Sequence, residues 1–324
     1  MFCAAPSRLL ALAVLVALGA CDGSDNPLAP TSEPPAPADE SVATVEALAA
    51  VTAPRIAFAS YRNGNDDIYL MDPQGYHVTR LTTSSAFEGS PAWSWDNKRI
   101  AMVRPRKDAS NVTHYDIYVI NADGTNGHWA RSTPSPFNLA DPCWSPDGSN
   151  LLFTMTVQGV QTLGWLHLAT GTLGAQSNGS GGAVQGHHPS YDPTGQRIVY
   201  VGSSSKSLDL INADGSGHLT LVTAPGPTIS GPVFSPDGKR IVFGNVAGNG
   251  DYEIFVRNAD GSVKRLTNSA GTDLWPSWSP DGSKIAFGST RNGRLQIWSM
   301  SSTGGSATRL SHNSYTERTP VWSH

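Results

Sequence analysis

Two adjacent histidines, His187 and His188, are the sharpest concentration of chemistry in this 324-residue chain. Imidazoles carry protons near neutral pH and bind divalent metals when carboxylates share their site. Asp141 and Glu317 would supply those carboxylates and Arg318 a stabilising cation, an acid–base set suited to cleaving a polysaccharide or a peptide. The spacing argues against a metal. Neighbouring residues point in different directions, and neither H-x-x-x-H nor H-E-x-x-H occurs. The histidines are therefore expected to be polar loop residues bonded to backbone, with no metal and no cofactor. A G-x-S-x-G elbow, a P-loop and a dinucleotide fingerprint are all missing, so no nucleophile or phosphate cradle of those types is expected.

What would hold these residues is a repeat. A proline, an aromatic two places on and a tight turn recur as P-A-W-S-W-D-N (91–97), P-C-W-S-P-D-G (142–148), P-S-Y-D-P-T-G (189–195), P-V-F-S-P-D-G (232–238) and P-S-W-S-P-D-G (276–282), and P-V-W-S (320–323) ends the chain. The aromatics at 93, 144, 191, 234, 278 and 322 are 43 to 51 residues apart, the period of a propeller blade. After each turn comes a β-branched run such as Arg240-Ile241-Val242-Phe243, then a third strand such as Glu253-Ile254-Phe255-Val256. An N-A-D-G-type turn leads to a fourth. Four strand signals per unit, without amphipathic helical periodicity, predict an all-β fold: a six-bladed β-propeller of four-stranded antiparallel blades. The pattern begins at Arg55 on a second strand and finishes at Trp322 on a first. The C-terminal strand should join the N-terminal blade and close the ring.

The run P-x-W-S-P-D-G-x-x-I-A-F-x-S-x-R-x-G-x-x-x-I-W (276–298) resembles the propeller repeat of the TolB family, of the Tol-Pal envelope system. The resemblance covers the chain from about Pro54. It implies the architecture, and an envelope protein that binds rather than catalyses. Members of that family carry an α/β domain ahead of the propeller, where a tether is expected here.

In such a ring the blade junctions would share one channel mouth. That reading gathers Glu88, Asp141, His187, His188, Asp273, Trp275, Glu317 and Arg318 as a ligand-binding rim. Trp275 is an extra tryptophan before a repeat proline, suited to stacking on a peptide or sugar ring. Arg62, Asn63, Arg104, Arg106, Asn249, Arg291 and Asn292 would belong to a second set of loops, 104–114 being the longest. Arg62 and Arg291 sit in S-x-R-N-G and are read as structural ion pairs. The turn aspartates are read as turn formers, the recurring aromatics as inter-blade packing, and Cys143 as a buried, inert thiol.

The first 20 residues read as a lipoprotein signal peptide: Arg8, an apolar run from Leu9 to Leu18, and Leu18-Gly19-Ala20-Cys21, which resembles the bacterial lipobox. Cys21 would carry the lipid. Residues 21–53, rich in Pro, Ala, Ser and acids, read as a disordered tether, leaving 54–324 as the propeller. From Pro54 onward there are 20 acids against 21 bases, with no basic patch for nucleic acid. The combined expectation is a monomeric, lipid-anchored envelope protein, its propeller facing the periplasm or the cell exterior. It would serve as a non-catalytic scaffold for a protein, peptide or glycan. The alternative is a propeller lyase or hydrolase working at the channel mouth.

Overall fold

The computed structural model describes residues 54–224, 228–248 and 250–324. The expected signal peptide and tether, with Cys21, and the loop residue Asn249 lie outside the described residues. Six four-stranded antiparallel sheets form the blades, each numbered here from its innermost strand. Blade one pairs Thr316–Trp322 with Ile56–Tyr61, Asp66–Met71 and Thr79–Arg80, so the C-terminal strand closes the ring as expected. The innermost strands of blades two to six are Gly89–Trp93, Asn138–Trp144, Gly186–Tyr191, Ser230–Phe234 and Asp273–Trp278.

The core is divided rather than central. One apolar cluster fills each of the six blade interfaces. Strand alternation explains this: Ile56 and Phe58 pack toward blade six, while Ala57 and Ala59 pack toward blade two. Both faces of the second strand Ile56–Tyr61 are buried, which is why the run Ile56-Ala57-Phe58-Ala59 is apolar throughout rather than alternating.

The repeat aromatics tie neighbouring blades together. Trp144 donates its indole N–H to the Ala92 carbonyl at 3.0 Å, and Trp278 donates to Val233 at 3.1 Å. Arg99, Arg197 and Arg240 each lie over the next blade's aromatic, with the guanidinium carbon 4.4 Å from the Trp144 ring centre, 5.4 Å from Phe234 and 4.5 Å from Trp278. Each also donates to the turn glycine beyond it, Gly148, Gly238 or Gly282. A cation on an aromatic face is worth about 0.5–1 kcal/mol at partly exposed sites, repeated here around the ring.

The turn aspartates act within their turns. Asp147 accepts from the Ser145 hydroxyl at 2.6 Å and the Ser149 amide at 3.1 Å. Equivalent bonds, first from the Ser279 hydroxyl, hold the Asp281 carboxyl down at about 2. The following glycine, Gly282, sits at φ +68°, a left-handed conformation that costs it little.

One expectation is corrected. Residues 104–114 are not a long loop. The strands Arg99–Lys107 and Thr113–Asn121 pair along their whole length, from Arg99 opposite Asn121 to Lys107 opposite Thr113, and only 108–112 make the tip.

Candidate functional site

Each innermost strand carries a bulge immediately before the repeat proline. The residue preceding the proline adopts a left-handed backbone in all six blades: Thr319 and Ser90 at φ +50°, Asp141, His188 and Gly231 at +51°, Trp275 at +53°. Proline tolerates an inner edge because it has no N–H to leave unpaired, and the bulge re-aims the side chain before it. For threonine and tryptophan a left-handed φ is a true outlier, costing on the order of 1–3 kcal/mol, and such strain collects at functional sites.

These six residues and the six prolines line one cavity of about 340 Å³ in the lumen. Its other walls are the innermost strands down to Trp95, Pro236, Pro280, Ser323 and His324, all on the side of the S-P-D-G-type turns. No residue of the blade junctions lines it. The cavity therefore occupies the half of the lumen away from the mouth to which the sequence assigned the site.

The eight expected rim residues separate accordingly. Asp141, His188 and Trp275 line the cavity. The Trp275 ring lies against Gly288, where an added Cβ would sit 3.3 Å from the ring. Glu88, Asp273 and Glu317 stand two residues earlier on their strands and are buried, at 1%, 0% and 0% exposure. Each is covered by an arginine of its own blade: Arg104 at 3.5 Å from Glu88, Arg291 at 2.9 Å from Asp273 and Arg62 at 2.6 Å from Glu317. The S-x-R arginines are thus structural partners, and these three carboxylates are correspondingly withdrawn from the rim. Arg318 faces Asp66 at 3.4 Å. Arg106 pairs with Asp116 at 3.5 Å, and Asn63 donates to the Tyr69 hydroxyl.

His187 and His188 are not the backbone-bonded loop residues expected: they stand on the innermost strand Gly186–Tyr191, and their rings meet side chains. The His187 Nε2 is 2.9 Å from the Ser205 hydroxyl, and its Nδ1 is 2.6 Å from the His188 Nδ1. Two ring nitrogens can approach so closely only with one proton between them. Burial first, then His188, pushes the His187 ring down to about 4, so it is neutral at ordinary pH. His188 continues inward, its Nε2 3.6 Å from Asp141. Thr154 completes the chain: its hydroxyl accepts from the His188 amide at 3.0 Å and donates to Asp141 at 2.9 Å. Among the described residues no three His, Cys, Asp or Glu side chains converge in metal-binding geometry.

Cys143 is part of the cavity wall, where its sulfur accepts from the Tyr191 amide and burial pushes the thiol up to about 11. It is not a thiolate nucleophile. Sequence reasoning missed Ser90, Thr319, Thr154 and Ser205. The first two had a signal, the slot before each repeat proline, which Asp141, His188 and Trp275 also occupy.

A closed ring of six four-stranded blades around a lined lumen defines a β-propeller of the binding or enzymatic kind. The TolB β-propeller domain model matches residues 51–230 and 188–324, and the chain belongs to that family. A Tol-Pal system protein TolB from Francisella tularensis subsp. mediasiatica is 28% identical over 229 residues, covering 56% of this chain and 52% of that protein. The chain thus spans about half the length of that relative. The solved TolB from Acinetobacter baumannii superposes with a TM-score of 0.69 at 22% identity, over 83% of this chain and 66% of the other. An oligogalacturonate lyase in complex with manganese shares the fold at TM-score 0.53 and 16% identity, over 79% and 73%.

Proposed function

We propose that the chain is a lipid-anchored envelope protein whose propeller is a non-catalytic scaffold for a protein, peptide or glycan. The observation that carries the reading is the lumen. Its cavity is walled by side chains that differ from blade to blade, whereas Glu88, Asp273 and Glu317 are neutralised by arginines. Of the two carboxylates expected for acid–base cleavage, Glu317 is held under Arg62 and Asp141 alone reaches the cavity. Membership of the TolB propeller family supports the envelope setting, and the Leu18–Cys21 motif supports the anchor.

Two experiments test it in cells. Palmitate labelling should disappear on Cys21→Ser. A photo-crosslinking residue placed at Ser90 should capture a discrete envelope partner, and one at exposed Val263, on an outer strand, should not. Equal capture from both positions, or none from Ser90, would count against the lumen as the binding surface.

The enzymatic alternative draws on the Ser205–His187–His188–Asp141 chain, which does reach the cavity. Turnover of an acidic polysaccharide that is lost on His188→Gln, with the fold intact, would favour it.

A further inference from the structure

The cavity wall has an unusual charge inventory. Among the described residues no lysine or arginine lines it, Asp141 is its one side-chain carboxylate, and its imidazoles are His188 and His324. The arginines nearest in sequence to the turns are turned into the blade interfaces, over Trp144, Phe234 and Trp278. Hydrogen-bond donors are scarce as well. The six prolines have no N–H. The indole N–H groups of Trp144 and Trp278 are engaged by backbone carbonyls, and those of Trp93 and Trp322 are sealed from solvent. Among the groups left for a ligand are the Asp141 carboxylate with the His188 imidazole beside it, the Ser90 hydroxyl, proline faces and aromatic carbon. The Thr319 Oγ1 is likewise sealed, buried without a partner.

Ligand classes can be ranked against that wall. An anion would meet the Asp141 carboxylate with no lysine or arginine to offset it, and entering the cavity would strip its hydration. A neutral polyol would leave most of its hydroxyls facing proline and aromatic carbon. A compact cation on an apolar body gains from both kinds of wall: a carboxylate for its charge and apolar surface for its carbon.

We propose that the lumen is a binding site for a compact organic cation, an ammonium group on an apolar body, with its charge placed at Asp141. This rests on the reading of the lumen as the ligand site. The ammonium can come from a free amine or from the lysine of a peptide, and the two sources are separable by experiment.

The test is calorimetric titration of the full-length chain with four benzyl probes: benzyltrimethylammonium, benzylamine, benzyl alcohol and benzoate. A lysine-containing tripeptide is the fifth arm. Both benzyl cations should bind at least tenfold more tightly than the alcohol and the carboxylate. Asp141→Asn should lower the cation affinities about tenfold and leave the alcohol unchanged. Thr319→Lys, which places an ammonium in the cavity, should abolish cation binding at unaltered melting temperature, independently of how Asp141→Asn folds. Tighter binding of the tripeptide than of benzylamine assigns the source to a peptide, and the reverse order to a free amine.

Equal binding of cation and alcohol, or a preference that survives Asp141→Asn, overturns the assignment while leaving the lumen a binding site. Absence of binding by all five overturns it too, and the scaffold reading then stands or falls on the Ser90 crosslink.

Discussion

Blades six, one and two differ from blades three, four and five at two levels of the innermost strand. In the first group the residue two places before the bulge is an acid, Asp273, Glu317 or Glu88, buried under an arginine. In the second group the same slot holds Leu139, Gly186 or Ile229, with no ion pair. At the bulge itself the contrast reverses. Blades three and four present Asp141 and His188 to the lumen, blade five leaves a gap at Gly231, and the other three present Trp275, Thr319 and Ser90. Charge in this ring is thus either locked between strands or offered to the cavity, and a shift of two residues separates the outcomes. A carboxylate at the junction is a structural part. One at the bulge is a candidate contact.

The largest expected effect comes from breaking a lock. Arg62→Ala leaves Glu317 buried and unpaired by its guanidinium, and should cost about 3–5 kcal/mol of unfolding free energy. Asp141→Asn, where the carboxylate is held by Thr154 and reaches the lumen, should cost under about 1 kcal/mol. Similar losses from the two, measured by denaturant unfolding, would erase the distinction between the groups.

Next is a pH effect on the lumen-facing half. Free imidazole titrates near 6.5, but the His187 ring titrates at about 4 in the fold. The unfolded chain therefore takes up its proton first. Stability contributed by the neutral ring is present above pH 6.5 and is lost as pH falls toward 4, by about 3 kcal/mol in all. His187→Gln should remove that slope from the difference between variant and wild-type unfolding curves. A difference that stays flat from pH 7 to 4 would mean that His187 is not held neutral by burial.

The smallest effect is a gain. Thr319→Gly relieves a left-handed threonine and removes a buried hydroxyl without a partner, so the melt should rise by about 1 kcal/mol or hold steady. The same change should weaken the ligand. A clear loss of stability would show that Thr319 holds the ring together instead.

Much of the fold was legible because it is local and repeated. The Pro-aromatic pair, the S-P-D-G turn and the R-I-A-F strand recur at blade period, and their meaning follows from turn chemistry and alternation. The arginine of S-x-R-N-G was readable as an ion-pair former for the same reason. The site was harder to read because it depends on broken regularity. A left-handed bulge turns Asp141, His188 and Trp275 inward, and neither composition nor period-2 alternation marks the break. Glu88, Asp273 and Glu317 were placed at an open junction, since nothing in the linear sequence shows an arginine from the same blade folding across them. His187 and His188 looked alike in sequence, yet one backbone step sends the first to Ser205 and the second to Asp141.

The central claim is that the bulge ring binds and the junction carboxylates only hold. Its most direct test compares the titration of benzyltrimethylammonium into two variants of the full chain, Thr319→Lys and the paired Arg62→Met with Glu317→Gln. The account predicts that Thr319→Lys melts like the wild type and no longer binds, while the paired variant melts earlier and binds as before. Binding kept by Thr319→Lys and lost by the paired variant would contradict it.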